Sequence, residues 1–252
     1  KNFANSIIKS KKTINVLACN AGIQCSSVPA GKDNSSVKKT FNDFESTVGI
    51  NHIGHFYLLT LLMNKLKSIK QSRIVIMGSG VHNPEEPGGD VGSKASLGDM
   101  SGLAQGFKGD ISMIDKGEYN ADKAYKDSKL CNVITGLELA RRLKAQRSDT
   151  TCNIMNPGLI PTTGLFRELN PIFVYIFTFL TRYVFKVAVS VDEGGKRLAF
   201  MISDPSLTGV SGKYYSGKPG KPEFLPYTPS KEALNEEKAK LFWKYSSALL
   251  PK

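Results

Sequence analysis

The sequence predicts an α/β protein built on a doubly wound parallel sheet, and three observations carry that prediction. Short, continuous apolar runs recur at residues 14–19 (INVLAC), 73–77 (RIVIM) and 151–155 (TCNIM), as expected of parallel strands covered on both faces. Long segments with apolar residues at helical spacing separate them. Small or turn-forming residues follow the runs at once: Asn20-Ala21-Gly22, Ser79, and Pro157-Gly158. A chain of 252 residues is long enough to enclose one such core.

Taken in order, the chain opens in a helical pattern and reaches the first strand at 14–19. Residues 41–67 form the next helix, with Phe44, Val48, Ile53, Phe56, Leu59, Leu62 and Leu66 on one face. The second strand, 73–77, leads into a Gly-, Pro- and Asp-rich stretch between Gly78 and Glu118. A connection this long inside a compact domain is usually functional, and it follows the carboxyl end of a strand, where open sheets bind ligands. Residues 80–118 therefore read as a lid or substrate-binding insertion in a single domain spanning 1–252. A helix at 125–144, the third strand, a helix at 191–202, a short strand at 212–216 (GKYYS) and a helix at 231–248 complete the alternation. The first strand is apolar throughout and should lie inside a sheet, yet nothing before it supplies a neighbour. No G-x-G-x-x-G turn occurs near the start. The pattern is that of a Rossmann-type sheet whose first βα units are missing.

Apolar residues at 40% and charged residues at 22% are ordinary for a globular chain. The 34 Lys and Arg against 22 Asp and Glu give a net charge of +12, but the basic residues are scattered and no nucleic-acid motif appears. Nucleic acid is set aside; a membrane surface or an anionic pigment fits the surplus better. Cys19, Cys25, Cys131 and Cys152 have no metal-binding spacing and read as buried, reduced thiols.

The chemistry-bearing residues begin with Tyr125-Lys126-Asp127-Ser128-Lys129. Tyrosine and lysine four apart share a helix face. A nearby ammonium stabilises a phenolate and brings tyrosine towards a usable general acid. Ser79, at the end of the second strand, should bring its hydroxyl beside Tyr125. Asn51, in Asn51-His52-Ile53-Gly54-His55-Phe56, is an amide among apolar residues and should have a specific partner. The turn Asn20-Ala21-Gly22 would let a cofactor approach closely, and Thr162 and Thr163 lie just beyond Pro157-Gly158.

This ordered set resembles the short-chain dehydrogenase/reductase superfamily along essentially the whole chain. Within it, Lys123-Ala124-Tyr125-Lys126-Asp127-Ser128-Lys129-Leu130-Cys131-Asn132, Leu97-Gly98-Asp99, Met113-Ile114-Asp115, the 162–168 segment TTGLFRE and Ser203-Asp204-Pro205-Ser206-Leu207 resemble the light-dependent NADPH:protochlorophyllide oxidoreductases. The resemblance implies a plastid enzyme that reduces the double bond between carbons 17 and 18 of protochlorophyllide with NADPH, driven by light. It implies Tyr125 as proton donor, Lys129 as the group that lowers its pKa and holds the nicotinamide ribose, Ser79 as the orienting hydroxyl and Asn51 as the anchor of a relay water. Asn20, Ala21, Gly22, Pro157, Gly158 and Thr162 would line the cofactor with Tyr125 and Lys129. Ser79, Tyr125, Leu159 and Phe166 would face the pigment. The family normally carries a cysteine after the strand-end Pro-Gly, where this chain has Leu159. Two alternatives stay open: a light-independent reductase of retinoid- or steroid-like substrates, and a pigment-binding paralogue without turnover. Preference for NADPH over NADH comes from the resemblance alone, and the sequence does not speak to oligomeric state.

No metal site is expected. His52 and His55 read as packing or hydrogen-bonding residues, and His82 as a surface-loop histidine. Residues 171–189 (PIFVYIFTFLTRYVFKVAV) are the most apolar stretch, but Arg182 and Lys186 interrupt it, so it is too short to cross a bilayer. It reads either as a substrate-covering helix pair or as a peripheral contact with a membrane.

Overall fold

The computed structural model describes residues 1–25, 37–167, 170–217 and 223–251. Their centre is a five-stranded sheet in the order β1-β2-β3-β4-β5. Strands β1 (Val16–Cys19), β2 (Arg73–Met77), β3 (Thr151–Asn156) and β4 (Tyr214–Gly217) run parallel, and β5 (Phe224–Tyr227) closes the sheet antiparallel. The apolar runs of the sequence thus fall on β1, β2 and β3. Strand β5 has no such signature, because Pro226 sits within FLPY and only an edge strand tolerates it. Strand β1 is the other edge of the described sheet, with Ala18 exposed and only Cys19 buried. No strand among the described residues pairs with its free side, in line with the expectation that nothing before it supplies a neighbour.

Register and pleat sort the strand side chains into two layers. Val16 pairs with Arg73, Arg73 with Thr151, and Ile154 with Tyr214. Ile74, Ile76, Cys152, Ile154 and Tyr214 face one side, while Val75, Met77, Met155 and Tyr215 face the other, the alternation that strand geometry imposes. The first side is covered by α1 (Asn2–Lys9), α3 (Gly54–Lys67), α5 (Ala121–Ala145) and α9 (Glu236–Ala248); the second by α7 (Val191–Ser203).

The helix expected over 41–67 begins later. Residues 40–44 form a turn with Asp43 left-handed (φ 61°). Buried Glu45 then caps α2 (Ser46–Val48), accepting from the amides of Thr47 at 2.9 Å and Val48 at 2.8 Å. A π-helical turn, Gly49–Ile53, joins α2 to α3. The expected helix at 231–248 is interrupted at Asn235, which ends α8 (Lys231–Leu234) and caps α9 through Lys238 N at 2.9 Å.

The long stretch after β2 is folded. Its beginning, Gly80, Val81, Glu86, Pro87, Gly88 and Val91, lines a cleft. Further on, Ala95, Leu97, Met100, Leu103, Phe107 and Ile114 enter the core around α5 and α9, with the short α4 (Ser101–Ala104) among them. This second part is packed core rather than cover.

Helix α5 crosses the sheet more closely than an alanine would allow. A Cβ on Gly136 would lie 2.3 Å from Ile154 Cγ1 and 2.7 Å from its Cδ1. Gly136→Ala is expected to destabilise the protein by about 1–3 kcal/mol through overpacking. Gly195→Ala, on the exposed face of α7 where nothing lies within 4 Å of the added carbon, should instead stabilise it by about 0.5–1 kcal/mol. Urea unfolding of the two variants beside the parent protein checks both signs.

Candidate active site

A cleft of about 460 Å³ opens beside the carboxyl ends of β2, β3 and β4, where parallel sheets carry their ligand sites. Ser79 and Tyr125 line it together, with Asn156, Gly158, Leu159 and Phe166. Most of its remaining wall is apolar: Val81, Pro87, Val91, Ile160, Leu165, Phe177, Val187 and Val189. Glu86, Asp122 and Lys126 supply the charge. A small number of polar groups in an apolar hollow is the usual form of a small-molecule site.

Tyr125 reaches the cleft because Asn120 starts α5 by accepting from Lys123 N at 2.8 Å, which fixes the helical phase of the residues beyond it. The Ser79 hydroxyl stands beside the Tyr125 phenol in the wall of the cleft. Burial raises the tyrosine pKa well above its usual value, and the Ser79 side chain offsets only part of that rise. Desolvation is the larger of these two effects. The phenol therefore stays protonated at neutral pH, as a proton donor must.

Ser79 is itself braced from behind. The His82 ring places Nδ1 2.6 Å from the Ser79 carbonyl, while its Nε2 accepts from Ser230 N at 3.2 Å. The carbonyl can only accept, so Nδ1 carries the proton and the imidazole is neutral; burial pushes its pKa down to about 4. Only 1% exposed and packed edge-on against Tyr214, His82 is not the surface-loop residue its Gly- and Pro-rich surroundings suggest.

Lys129 lies one helical turn beyond Tyr125, its ammonium 5.6 Å from the ring centre. Burial pushes its pKa down to about 8. The other buried charges of α5 have partners: Asp127 pairs with Lys123, Lys126 with Asp122, and Glu138 with Arg141 and Arg142. No described residue forms a hydrogen bond or ion pair with Lys129. Its ammonium points instead at Gly22, where an added Cβ would stand 3.4 Å from Nζ and 3.5 Å from Asn51 Oδ1. A buried, uncompensated donor facing a surface cleared by glycine suits the hydroxyl groups of a nucleotide sugar.

Asn51 has the specific partners its polarity demanded. Its Oδ1 accepts from Ile23 N at 2.8 Å, and its Nδ2 donates to Ile23 O at 2.9 Å and to Ser128 Oγ at 3.0 Å. Its carbonyl accepts from His55 Nδ1 at 2.9 Å. The π-helical turn provides this orientation, as such turns often do at functional sites. Asn51 thus ties the loop after β1 to α5 at the level of Lys129. His52 meets Ser246 Oγ at 3.1 Å instead, so the two histidines serve different partners, and no cluster of three metal-ligand side chains occurs among the described residues.

Asn20, Ala21 and Thr162, expected to line the cofactor, are exposed and lie outside this cleft, as do Gly22 and Lys129. Pro157 acts through its carbonyl, which accepts from buried Arg197 at 2.9 Å. Leu159 turns its side chain to the cleft while its carbonyl accepts from Val189 N at 2.7 Å. Sequence reasoning passes over Asn156, whose Oδ1 accepts from Gly158 N at 3.1 Å while Nδ2 donates to Ser216 at 3.0 Å, so that it sets the turn after β3. An asparagine directly before Pro-Gly is the available signal.

No family model matches the chain. It is 40% identical over 253 residues to a chloroplastic protochlorophyllide reductase of Cucumis sativus, and 41% identical over 254 residues to protochlorophyllide reductase B of Oryza sativa subsp. japonica; each match covers 99% of this chain and 61% of the relative. The chain thus spans about three fifths of the length of these relatives. Among solved structures, a putative uncharacterized protein from Mycobacterium paratuberculosis superposes with a TM-score of 0.62 at 22% identity, covering 98% of this chain and 70% of that one. A 3-alpha-hydroxysteroid dehydrogenase from Pseudomonas sp. B-0831 gives 0.53 at 19% identity, covering 81% and 71%. The chain shares its fold with these solved structures and, along 99% of its length, is similar to the protochlorophyllide reductases.

Proposed function

We propose that the protein reduces protochlorophyllide to chlorophyllide in a plastid, using NADPH and light. The observation that carries this reading is the Ser79–Tyr125 hydroxyl pair set into an apolar cleft, with the unpartnered ammonium of Lys129 one turn behind it. The names of the relatives supply the substrate and the compartment. Bound NADPH would supply the hydride. Lys129 and the cleared surface at Gly22 would hold its ribose, and Asn51 would keep that surface against α5. Tyr125, kept protonated by burial and directed by Ser79, would deliver the proton. A broad, flat, apolar substrate matches the wall formed by Leu159, Leu165, Phe166, Phe177 and Val189. Leu159 has no exchangeable proton, so Tyr125 is the donor at the cleft surface.

The stretch at 171–189 serves both faces of this reading. Phe177, Val187 and Val189 look into the cleft. On α6 (Pro171–Phe179) and the turn after it, Ile172, Phe173, Tyr175, Ile176, Phe179, Tyr183, Val184 and Phe185 are exposed, with Arg182 and Lys186 beside them. No helix among the described residues is long and apolar enough to cross a membrane. An apolar face edged by basic residues suits the surface of an anionic bilayer, from which a greasy pigment would enter the cleft.

Two measurements test these points. Protein mixed with NADPH and protochlorophyllide should show the red shift to chlorophyllide only after illumination. Tyr125→Phe should bind pigment but turn over about 100-fold more slowly or worse; conversion in darkness, or no pigment binding, would contradict the reading. In flotation with anionic vesicles the protein should rise with the lipid, and Phe173→Ser/Ile176→Ser should leave it at the bottom; a parent protein that stays behind would remove the membrane contact.

A further inference from the structure

Beside Tyr125, two charged residues of α5, buried Lys126 and half-exposed Asp122, are engaged by a loop. The Asp122 carboxylate Oδ2 accepts from Ser93 N at 3.1 Å and pairs with Lys126 Nζ at 3.3 Å. Lys126 Nζ also donates to the Val91 carbonyl. The lysine is only 3% exposed, although an ammonium is normally left in water unless something holds it. Gly92, between the two anchored residues, is left-handed (φ 68°), and a Cβ there would stand 2.9 Å from Asp122 Oδ2, so the loop sequence itself makes room for the carboxylate.

The clip sits three residues before and one residue after Tyr125 in sequence. It fixes Val91, which is 68% exposed yet lines the cleft with Pro87 and Gly88. The facing wall is Leu165, Phe166, Phe177 and Val189. We infer that Asp122 and Lys126 are positioning residues: together they pin the 91–93 loop as one rim of the cleft and so set how the substrate lies against Tyr125. Lysine and aspartate at this spacing on an exposed helix attract each other only weakly. Here the bonds to Val91 O and Ser93 N make the pair a tether, and loosening it frees the loop without touching Lys129, Gly22 or Asn51.

The inference rests on the pigment reading for the identity of the substrate, and the test separates the two. Hydrogen exchange at residues 91–93 reads the tether with no pigment present. Asp122→Ala and Lys126→Met should each raise it at least tenfold, while exchange in β2 and β3 stays as in the parent protein. With pigment titrated in darkness, each variant should bind it 5- to 20-fold more weakly, with NADPH affinity changed less than twofold. The double variant should be little worse than either single one, because both cut the same tether. Lys126→Arg, which keeps the charge and its donors, should recover most of the binding. Should Lys126→Met not fold, Asp122→Asn, which removes the charge pair at nearly constant shape, carries the same comparison. Unchanged exchange at 91–93, or equal weakening of pigment and NADPH, would overturn the inference. A parent protein that binds no pigment would overturn the function proposed above, and the exchange result would still decide the tether.

Discussion

The seating of α5 on the sheet is the constraint from which the site follows. Gly136 lets the helix lie against Ile154, and Asn132 Nδ2 donates to the carbonyl of Met77 at 3.0 Å, at the end of β2. With both distance and height fixed, Tyr125 meets Ser79 and Lys129 meets the loop after β1. None of these side chains has much freedom, because nearly every residue from Ala121 to Ala140 is buried and a packed interior holds its rotamers. The chemistry depends on a helix that cannot slide.

Burial on this scale creates an electrostatic problem that the protein resolves selectively. Asp127 is fully buried, yet it accepts from Ser96 N at 2.9 Å and pairs with Lys123; burial still raises its pKa to about 7. Glu138 is met by two arginines. These pairings make structural charges tolerable. Lys129 is left without one, and its depressed pKa is the consequence. A buried group whose ionisation is disturbed and uncompensated, facing a turn cleared by glycine, is the physical mark of a binding or catalytic role. The same logic distinguishes Lys129 from Lys126, equally buried but satisfied.

The sequence discloses whatever depends on local periodicity. The apolar runs of β1–β3, the shared face of Tyr125 and Lys129, and the turn residues at strand ends need only their neighbours to be read. The features that stay hidden depend on distant residues. His82 looks solvent-facing in its own segment, and only Ser230 and Tyr214, far along the chain, bury it. Asp122 and Lys126 look like an ordinary surface pair until the loop at 91–93 folds over them. The start of α2 is obscured because the apolar pattern continues through Phe44, while the capping carboxylate of Glu45 sets the true boundary. Strand β5 is invisible because its proline suits an edge.

The central claim is that Lys129, without a hydrogen-bond or ion-pair partner among the described residues, would be the group that meets the nucleotide. The most direct measurement is NADPH affinity by titration calorimetry across pH 6.5 to 9.5, for the parent protein and for Lys129→Arg. The folded-state pKa of about 8 means the ammonium is present below that pH and lost above it. Affinity should therefore fall as pH rises through about 8 in the parent and stay nearly level in the arginine variant, whose charge persists. A flat profile in the parent protein, or the same fall in both, would contradict the account.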